Sequence, residues 1–193
     1  MYIDRILSPI ETLGPGNRLV IWTRGCTKHC FRCANPELWD TKNAPNYPVD
    51  DIIKIIKNIY NNEPFDGVTI SGGDPLEQID DLIDLLEQIK LLTSDILVYT
   101  GFYLEEIEMR FDSYHVDKIK DLVTVLIDGP YIDELNSKDI VLRGSSNQNV
   151  HIFRKEYVPL YETYLNKGRK IQNVYMENRL ISVGIHDRKG EES

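Results

Sequence analysis

The residues best suited to chemistry in this sequence are three cysteines that lie close together. Cys26, Cys30 and Cys33 are the only cysteines among the 193 residues, and their spacing is C-x3-C-x2-C. An odd number of cysteines cannot form a fully paired disulfide framework, and clustered thiols in a cytosolic chain more often bind metal or do redox chemistry. The pattern predicts a metal centre with one position left open for another ligand.

Several kinds of site compete for these cysteines. A structural zinc ion needs four ligands, so His29 or another histidine would have to complete the set, and such sites usually come as two separated ligand pairs. A zinc site of the nucleobase-deaminase type needs a His-x-Glu motif, which is missing. Inert core cysteines are the simplest alternative. An iron–sulfur cluster held by only three cysteines would keep one iron open.

A glycine-rich stretch follows the short apolar run at residues 68–70. Its residues are Ser71, Gly72, Gly73 and Asp74. Two glycines allow backbone carbonyls to approach a ligand closely. The structural alternative is that Asp74 caps the next helix, with Pro75 at its first position and Glu77 completing a capping box. Both roles are compatible with one loop.

Apolar patterning predicts alternating strands and helices. Strands are expected at residues 3–12, 19–23, 68–70, 96–99, 122–127, 171–175 and 180–185, helices at 51–61, 76–89 and 103–111, and loops at 34–48 and 131–150. The repeated strand–loop–helix order predicts an α/β fold with a parallel sheet. Because the chain is too short for eight such units, we expect a partial, open parallel β/α barrel. Thr100 and Asp128 end two of its strands, where barrel enzymes place functional groups.

Length and charge narrow the class of protein. With 41% hydrophobic residues, the chain is expected to form one domain over residues 1–186, followed by a disordered tail at 187–193. Within the domain we distinguish a core over about residues 3–150 and a C-terminal extension over about 151–186. The net charge of −9 argues against nucleic-acid binding. Without a signal-peptide pattern or an apolar stretch of about 18 residues, a cytoplasmic protein with no membrane partner is expected.

The cysteine loop resembles the cluster loop of radical S-adenosylmethionine (SAM) enzymes. Phe31 stands between the second and third cysteines, where that family places an aromatic residue beside the adenine of SAM. The resemblance implies the family's partial barrel and a [4Fe–4S] cluster bound by Cys26, Cys30 and Cys33. SAM then binds the open iron, and one electron from the cluster breaks its C–S bond to give a 5′-deoxyadenosyl radical, so no protein acid or base is needed.

The same resemblance assigns the remaining cofactor contacts. The glycine-rich stretch matches the family's glycine-glycine-acid motif, although many members have glutamate where this chain has the shorter aspartate. Thr100 and Asp128 are expected to meet the ribose or the carboxylate of SAM. The implied cofactor-binding residues are Phe31, Ser71, Gly72, Gly73, Asp74, Thr100, Asp128 and Asn147.

Five stretches resemble one subgroup, the enzymes that activate anaerobic ribonucleoside-triphosphate reductase. They are residues 14–18, 71–76, 99–101, 128–130 and 143–148. This resemblance implies that the chain makes a glycyl radical on that reductase. Alternatives that stay open are a small-molecule enzyme such as a deazapurine-forming synthase, modification of another protein, and a zinc-stabilised interaction module. The extension has no residue-by-residue match to the compact members.

Three cations surround the cysteine loop of an otherwise acidic chain. Arg24, Lys28 and Arg32 are predicted to receive an acidic electron donor such as a flavodoxin. The alternative is an ordinary solvated loop.

Overall fold

A computed structural model describes residues 1–176 and 179–186 of the protein. Within these ranges the strands are β1 Ile3–Ile10, β2 Arg18–Thr23, β3 Gly67–Gly72, β4 Ile96–Tyr99, β5 Val125–Asp128, β6 Asn149–Ile152, β7 Ile171–Met176 and β8 Arg179–Gly184. The α-helices there are α1 Val49–Asn62, α2 Ile79–Ile89, α3 Leu104–Arg110, α4 Ser113–Leu122 and α5 Val158–Leu165.

The main sheet is mostly parallel. In the described part of the chain its order is β1-β2-β3-β4-β5-β6. Neighbouring strands from β2 to β5 run parallel, whereas β1 and β6 pair antiparallel at the two edges. The register aligns Thr23 with Gly72 and Tyr99 with Ile127, so the carboxyl ends of β2 to β5 lie along one edge. The predicted α/β class is confirmed, and the antiparallel edge strands are an addition to it.

Helices α1 to α4 pack against one face of this sheet. Side chains alternate between the two faces of a strand, so Leu19 and Ile21 of β2 point toward these helices while Val20 and Trp22 point away. The sides of the helices that face the sheet carry apolar stripes at helical spacing. The shared core includes Leu19, Ile21, Ile52, Ile56, Val68, Ile70, Leu82, Leu86, Ile107 and Ile119.

The opposite face, named here the inner face, is covered by the C-terminal extension. The β7–β8 hairpin packs on β1 and β2 through a cluster that contains Leu7, Ile10, Val20, Trp22 and Val183. Helix α5 packs on β4 and β5 through a second cluster, in which Tyr161 lies with Leu97, Val125 and Ile127. The extension is therefore part of the core of the fold.

A buried polar network lies on the inner face, near the amino ends of β2 and β4. Arg18 is fully buried. Its Nε donates to the Thr69 hydroxyl at 2.7 Å, and its Nη1 donates to the Asp95 carboxylate at 2.7 Å. The Tyr161 hydroxyl donates to the other oxygen of Asp95 at 2.6 Å. The burial of a guanidinium is tolerated because its donors find partners.

The structure departs from the sequence predictions in the second half of the main sheet. The strand predicted at residues 122–127 begins only at Val125, because Leu122 is the last residue of α4. Helix α4 was not predicted. Its apolar stripe is narrow, and its capping residue, Asp112, accepts a hydrogen bond from the His115 amide at 3.0 Å. A narrow stripe gives a weak periodic signal.

Strand β6 begins inside the predicted loop at 131–150, and α5 was not predicted. The two strands predicted near the C-terminus are present as β7 and β8. The tail predicted at residues 187–193 lies outside the described residues. In the described ranges, no helix combines the length and apolar character needed to cross a membrane.

Candidate functional site

A cavity of about 200 Å³ opens at the edge where the parallel strands end. Its lining contains eight of the residues predicted from the sequence, namely Cys26, Cys30, Cys33, Ser71, Gly72, Gly73, Asp74 and Thr100. These residues come from the ends of β2, β3 and β4, which the parallel register places side by side. The fold therefore brings the cysteine loop, the glycine-rich loop and Thr100 around one space.

The cysteine loop is fixed where it leaves β2. The Gly25 amide donates to the Leu38 carbonyl at 2.9 Å, and the Cys26 amide donates to the Trp39 carbonyl at 3.1 Å. The ring of His29 stacks on Trp39 with 4.7 Å between ring centroids. His29 is not among the residues that line the cavity with the three cysteines.

The three thiols are free and half-buried. Burial raises the pKa of Cys26 and of Cys30 above the usual thiol value, and backbone hydrogen bonds from Lys28 and Tyr131 respectively oppose this effect. A raised pKa keeps a thiol protonated and poorly nucleophilic in the protein alone. The charge of a bound metal reverses this preference, because coordination deprotonates the thiol. The environment suits a ligand better than a nucleophile.

The donor set fits an iron–sulfur cluster. Thiolates are the ligands that such clusters take, and three of them leave one iron for another ligand. Among residues 1–176 and 179–186, no three His, Cys, Asp or Glu side chains are grouped to hold a single metal ion. The three cysteines line one cavity, which is compatible with a cluster in which each would bind a different iron.

The two glycines of the glycine-rich loop lie against the backbone that leads into the cysteine loop. A Cβ atom on Gly72 would lie 2.3 Å from the Thr23 amide nitrogen, and one on Gly73 would lie 2.4 Å from the Gly25 carbonyl oxygen. Gly72 also has a φ of 115°, which disfavours other residues. Close approach of backbone is thus required here to seat the cysteine loop, whatever ligand the cavity takes.

Asp74 ties two loops of the cavity together. It is 1% exposed. Its carboxylate accepts hydrogen bonds from the Leu76 amide at 3.1 Å, the Thr100 hydroxyl at 2.9 Å and the Gly101 amide at 2.8 Å. Burial raises the pKa of Asp74 to about 6, although these hydrogen bonds act in the other direction. The predicted capping role is present, and the same carboxylate also joins the end of β3 to the end of β4.

The prediction that Glu77 completes a capping box is wrong. The Glu77 carboxylate accepts a hydrogen bond from the Thr27 hydroxyl and pairs with Arg110 at 3.1 Å. Glu77 therefore links the cysteine loop to helix α3 and takes no part in capping.

Asp128 lies at the end of β5 but outside the cavity lining. It is fully buried. Its carboxylate accepts hydrogen bonds from the Leu104 amide and the Asn149 side chain, each at 2.8 Å, and lies 2.8 Å from a ring nitrogen of His151. These contacts fasten β6 and the start of α3 to β5.

Asn147 and Phe31 also lie outside the lining. The Asn147 amide group donates to the Tyr103 hydroxyl at 3.1 Å and to the Pro130 carbonyl at 2.8 Å, which holds the loop after β5. Phe31 is 72% exposed, and the Arg32 guanidinium lies 5.8 Å from its ring centroid.

Each cation of the cysteine loop has an acidic partner. Arg24 pairs with Asp4 at 2.7 Å, Lys28 pairs with Glu106 at 3.1 Å, and Arg32 pairs with Asp133 at 3.2 Å. The loop is therefore nearly balanced in charge, which weakens the argument for an acidic electron donor at this surface.

The cavity also contains residues that sequence reasoning missed. Tyr131 and Gln148 reach it from the loops after β5, and residues 184–186 reach it from the end of β8. The sequence did contain a signal for Gln148, because this residue belongs to the stretch 143–148 that resembles the activating enzymes. The sequence contained no such signal for residues 184–186, since only the packing of the hairpin on the inner face brings them to the site.

Comparison with known proteins identifies relatives. A family described as "4Fe-4S single cluster domain" matches residues 12–151. The anaerobic ribonucleoside-triphosphate reductase-activating protein of Salmonella typhimurium is 32% identical over 152 residues, covering 76% of this chain and 96% of that protein. The protein of the same name from Enterobacteria phage T4 is 30% identical over 155 residues, covering 78% and 93%.

A more distant relative activates a different enzyme. The pyruvate formate-lyase-activating enzyme of Staphylococcus epidermidis is 29% identical over 148 residues, covering 74% of this chain and 57% of that protein. From these matches, the chain belongs to the 4Fe-4S single cluster domain family and to the family of anaerobic ribonucleoside-triphosphate reductase-activating proteins.

Proposed function

We propose that this protein is a radical SAM activating enzyme that generates a glycyl radical on an anaerobic ribonucleoside-triphosphate reductase. Family membership supports an enzyme of this type with a [4Fe–4S] cluster and SAM as cofactors. The structural observation that carries the proposal is the shared cavity, which three free cysteines line together with the glycine-rich loop and Thr100. A small-molecule enzyme and a zinc-stabilised module are not favoured by the relatives.

In this proposal, Cys26, Cys30 and Cys33 would each hold one iron of the cluster, and the fourth iron would be left open for SAM. When bound, these cofactors supply the one-electron cleavage of SAM to methionine and the removal of a hydrogen atom from glycine, which leaves 5′-deoxyadenosine. The work of the protein is to bind, orient and shield. The Asn35 amide, for example, donates to the Cys33 thiol at 3.4 Å, which helps to fix that ligand.

The predicted SAM contacts divide into two groups by their surroundings. Ser71, Gly72, Gly73 and Thr100 border the cavity, which supports direct contact with SAM. Asp74 also borders the cavity. For Asp74, Asp128 and Asn147 we nevertheless propose positioning roles, because their polar atoms are occupied by neighbouring loops and strands. Phe31 stays a prediction of the family resemblance.

The finer architectural and cellular assignments belong to the same proposal. The open, mostly parallel sheet supports a partial β/α barrel of the radical SAM type and a single domain over residues 1–186. A location in the cytoplasm stays our prediction. An acidic donor such as a flavodoxin stays our prediction for the electron source. Because Lys28 and Arg32 are already paired, we expect its docking to depend only weakly on salt.

Anaerobic reconstitution tests the function directly. We expect about four irons and four sulfides per chain, cleavage of SAM on reduction, and a glycyl-radical signal by electron paramagnetic resonance after mixing with the reductase. Bound zinc without SAM cleavage would refute the proposal. SAM cleavage with no radical on the reductase would refute the partner alone.

A further inference from the structure

The C-terminal extension lies outside the recognised family region but inside the site. The family match ends at residue 151, and the alignment with the Salmonella relative takes in 96% of that protein but only 76% of this chain. Nevertheless, residues 184–186 line the same cavity as the three cysteines. This part of the cavity wall is therefore supplied by an element that the family match does not include.

The extension is joined firmly to the inner face. The Tyr161 hydroxyl of α5 donates to buried Asp95 at 2.6 Å. In the hairpin, the Gln172 side chain donates to the Pro9 carbonyl at 2.9 Å, and the Val183 carbonyl accepts from the Thr12 hydroxyl at 3.1 Å. The hairpin is thus held along β1 before its last residues reach the cavity.

Arg169 closes the base of the hairpin against the cavity. It stands just before β7, and its Nη1 donates to the Asn136 side-chain oxygen at 2.9 Å and to the His186 carbonyl, just after β8, at 3.2 Å. The Asn136 amide group donates to the same His186 carbonyl at 3.1 Å. Asn136 is buried and itself lines the cavity. One guanidinium therefore connects both ends of the hairpin to the loop after β5.

We propose that the β7–β8 hairpin is the wall of the cavity that receives the glycine-bearing segment of the protein substrate, and that Arg169 is the positioning residue that holds this wall in place. The inference rests on the proposed function. A polypeptide backbone must enter the cavity for a glycine to react, and a small displacement of the reacting groups costs much of the rate. A wall that is closed around the site also keeps out water and limits unproductive reaction.

The test compares Arg169→Ala with Lys170→Ala, which removes the same charge from an exposed neighbour. Hydrogen–deuterium exchange of residues 179–186 in the cofactor-free protein reports whether the wall is held. The number of glycyl radicals formed per SAM cleaved, with the reductase present, reports whether the wall directs the reaction. Arg169→Lys is the third variant, in case loss of the whole side chain prevents folding.

For Arg169→Ala we expect faster exchange at 179–186 and about tenfold fewer radicals per SAM cleaved, because the variant loses the charge-assisted hydrogen bonds that join both ends of the hairpin to the loop after β5. SAM cleavage without the reductase is expected to persist. Arg169→Lys is expected to show a smaller change in the same direction, and Lys170→Ala none.

Two results would overturn the inference: unchanged exchange in Arg169→Ala, or faster exchange with an unchanged radical yield per SAM, which includes an equal fall in SAM cleavage and radical formation. Each leaves the proposed function standing as long as the unmodified protein activates the reductase. If the unmodified protein forms no radical, the proposed function fails, and with it the role of the wall. The exchange result still shows in that case whether Arg169 holds the hairpin in place.

Discussion

Buried polar groups at the two ends of the inner face have different kinds of partner. At the amino ends of β2 and β4, the Arg18 guanidinium lies against Asp95, and Tyr161 donates to the same carboxylate. At the carboxyl ends, free thiols border a cavity, and the buried carboxylate of Asp74 is met by hydroxyl and amide dipoles from Thr100 and Gly101.

The difference separates stability from chemistry. A buried ion pair whose hydrogen bonds are made contributes mainly through the large cost of breaking it, because either partner alone would be an uncompensated charge. Thiols that border a cavity contribute little to folding and are free to bind a metal. We therefore expect substitutions at the two ends to affect different measurements, and four predictions follow this division.

The largest effect on activity is expected at the cysteines. Replacing Cys30 with serine should lower SAM cleavage by more than about 100-fold, since even changes in groups that only support a metal ligand cost about 10–100-fold. The cofactor-free variant should unfold in urea within about 1 kcal/mol of the unmodified protein, because the thiol is only half-buried. A variant that loses stability as strongly as it loses activity would contradict the division.

The largest effect on stability is expected at Arg18. Replacing it with methionine should lower the free energy of unfolding of the cofactor-free protein by about 3–5 kcal/mol, because Asp95 is left buried without its cation. Urea titration followed by circular dichroism measures the change. Adding Asp95→Asn should recover part of the loss, and a single-variant loss below about 1 kcal/mol would show that the pair is not a stabilising anchor.

A smaller, pH-dependent effect is expected at Asp74. Its pKa in the folded protein is about 6, against an ordinary value of 3.8. The folded state therefore binds more protons than the unfolded state between these values, and stability falls as the pH rises through this window. The loss amounts to at most about 3 kcal/mol and is complete above pH 6.

Comparing the cofactor-free protein with Asp74→Asn isolates this effect. The difference in unfolding free energy between the two should change between about pH 4 and pH 6 and then stay constant. A difference that does not vary with pH would mean that Asp74 is ionised in the folded protein as easily as in the unfolded one.

The smallest effect is expected at Lys28, on the rim of the cavity. It pairs with Glu106 at 3.1 Å, and its ammonium lies 4.2 Å from the centroid of the Phe102 ring. Because the pair is partly exposed, Lys28→Ala should lower the free energy of unfolding by only about 0.5–1 kcal/mol in a urea titration. The loss should be smaller at high salt. Lys54→Ala, which breaks an exposed helical pair with Asp51, serves as the control and should show no measurable change.

Much of the site could be predicted because its residues are local in sequence. Cys26, Cys30 and Cys33 fall within eight residues, and residues 71–74 directly follow an apolar strand. The parallel register then brings these ends together, as βαβ order requires. The hydrogen-bond partners of Asp74 were harder to predict, since Thr100 and Gly101 are distant from it in sequence.

Elements with weak periodicity could not be predicted in the same way. Helix α4 has a narrow apolar stripe, and β6 is a strand only because β5 offers an edge on which Asp128 pairs with Asn149. The role of the motif residue Arg18 could not be predicted either, because its partners lie far along the chain. Its partners, Asp95 and Tyr161, are 77 and 143 positions away, as the separations from 18 to 95 and from 18 to 161 give.

The sequence by itself determined the donor set, the glycine-rich loop and the alternation of strands and helices, because each depends on residue type and short-range spacing. Only the tertiary structure decided which predicted residues border the cavity, which of them hold its walls, and that residues 184–186 complete it. The physical reason is that burial and hydrogen-bond partners are set by packing between distant segments. Here the decisive packing is that of the C-terminal hairpin on the inner face of the sheet.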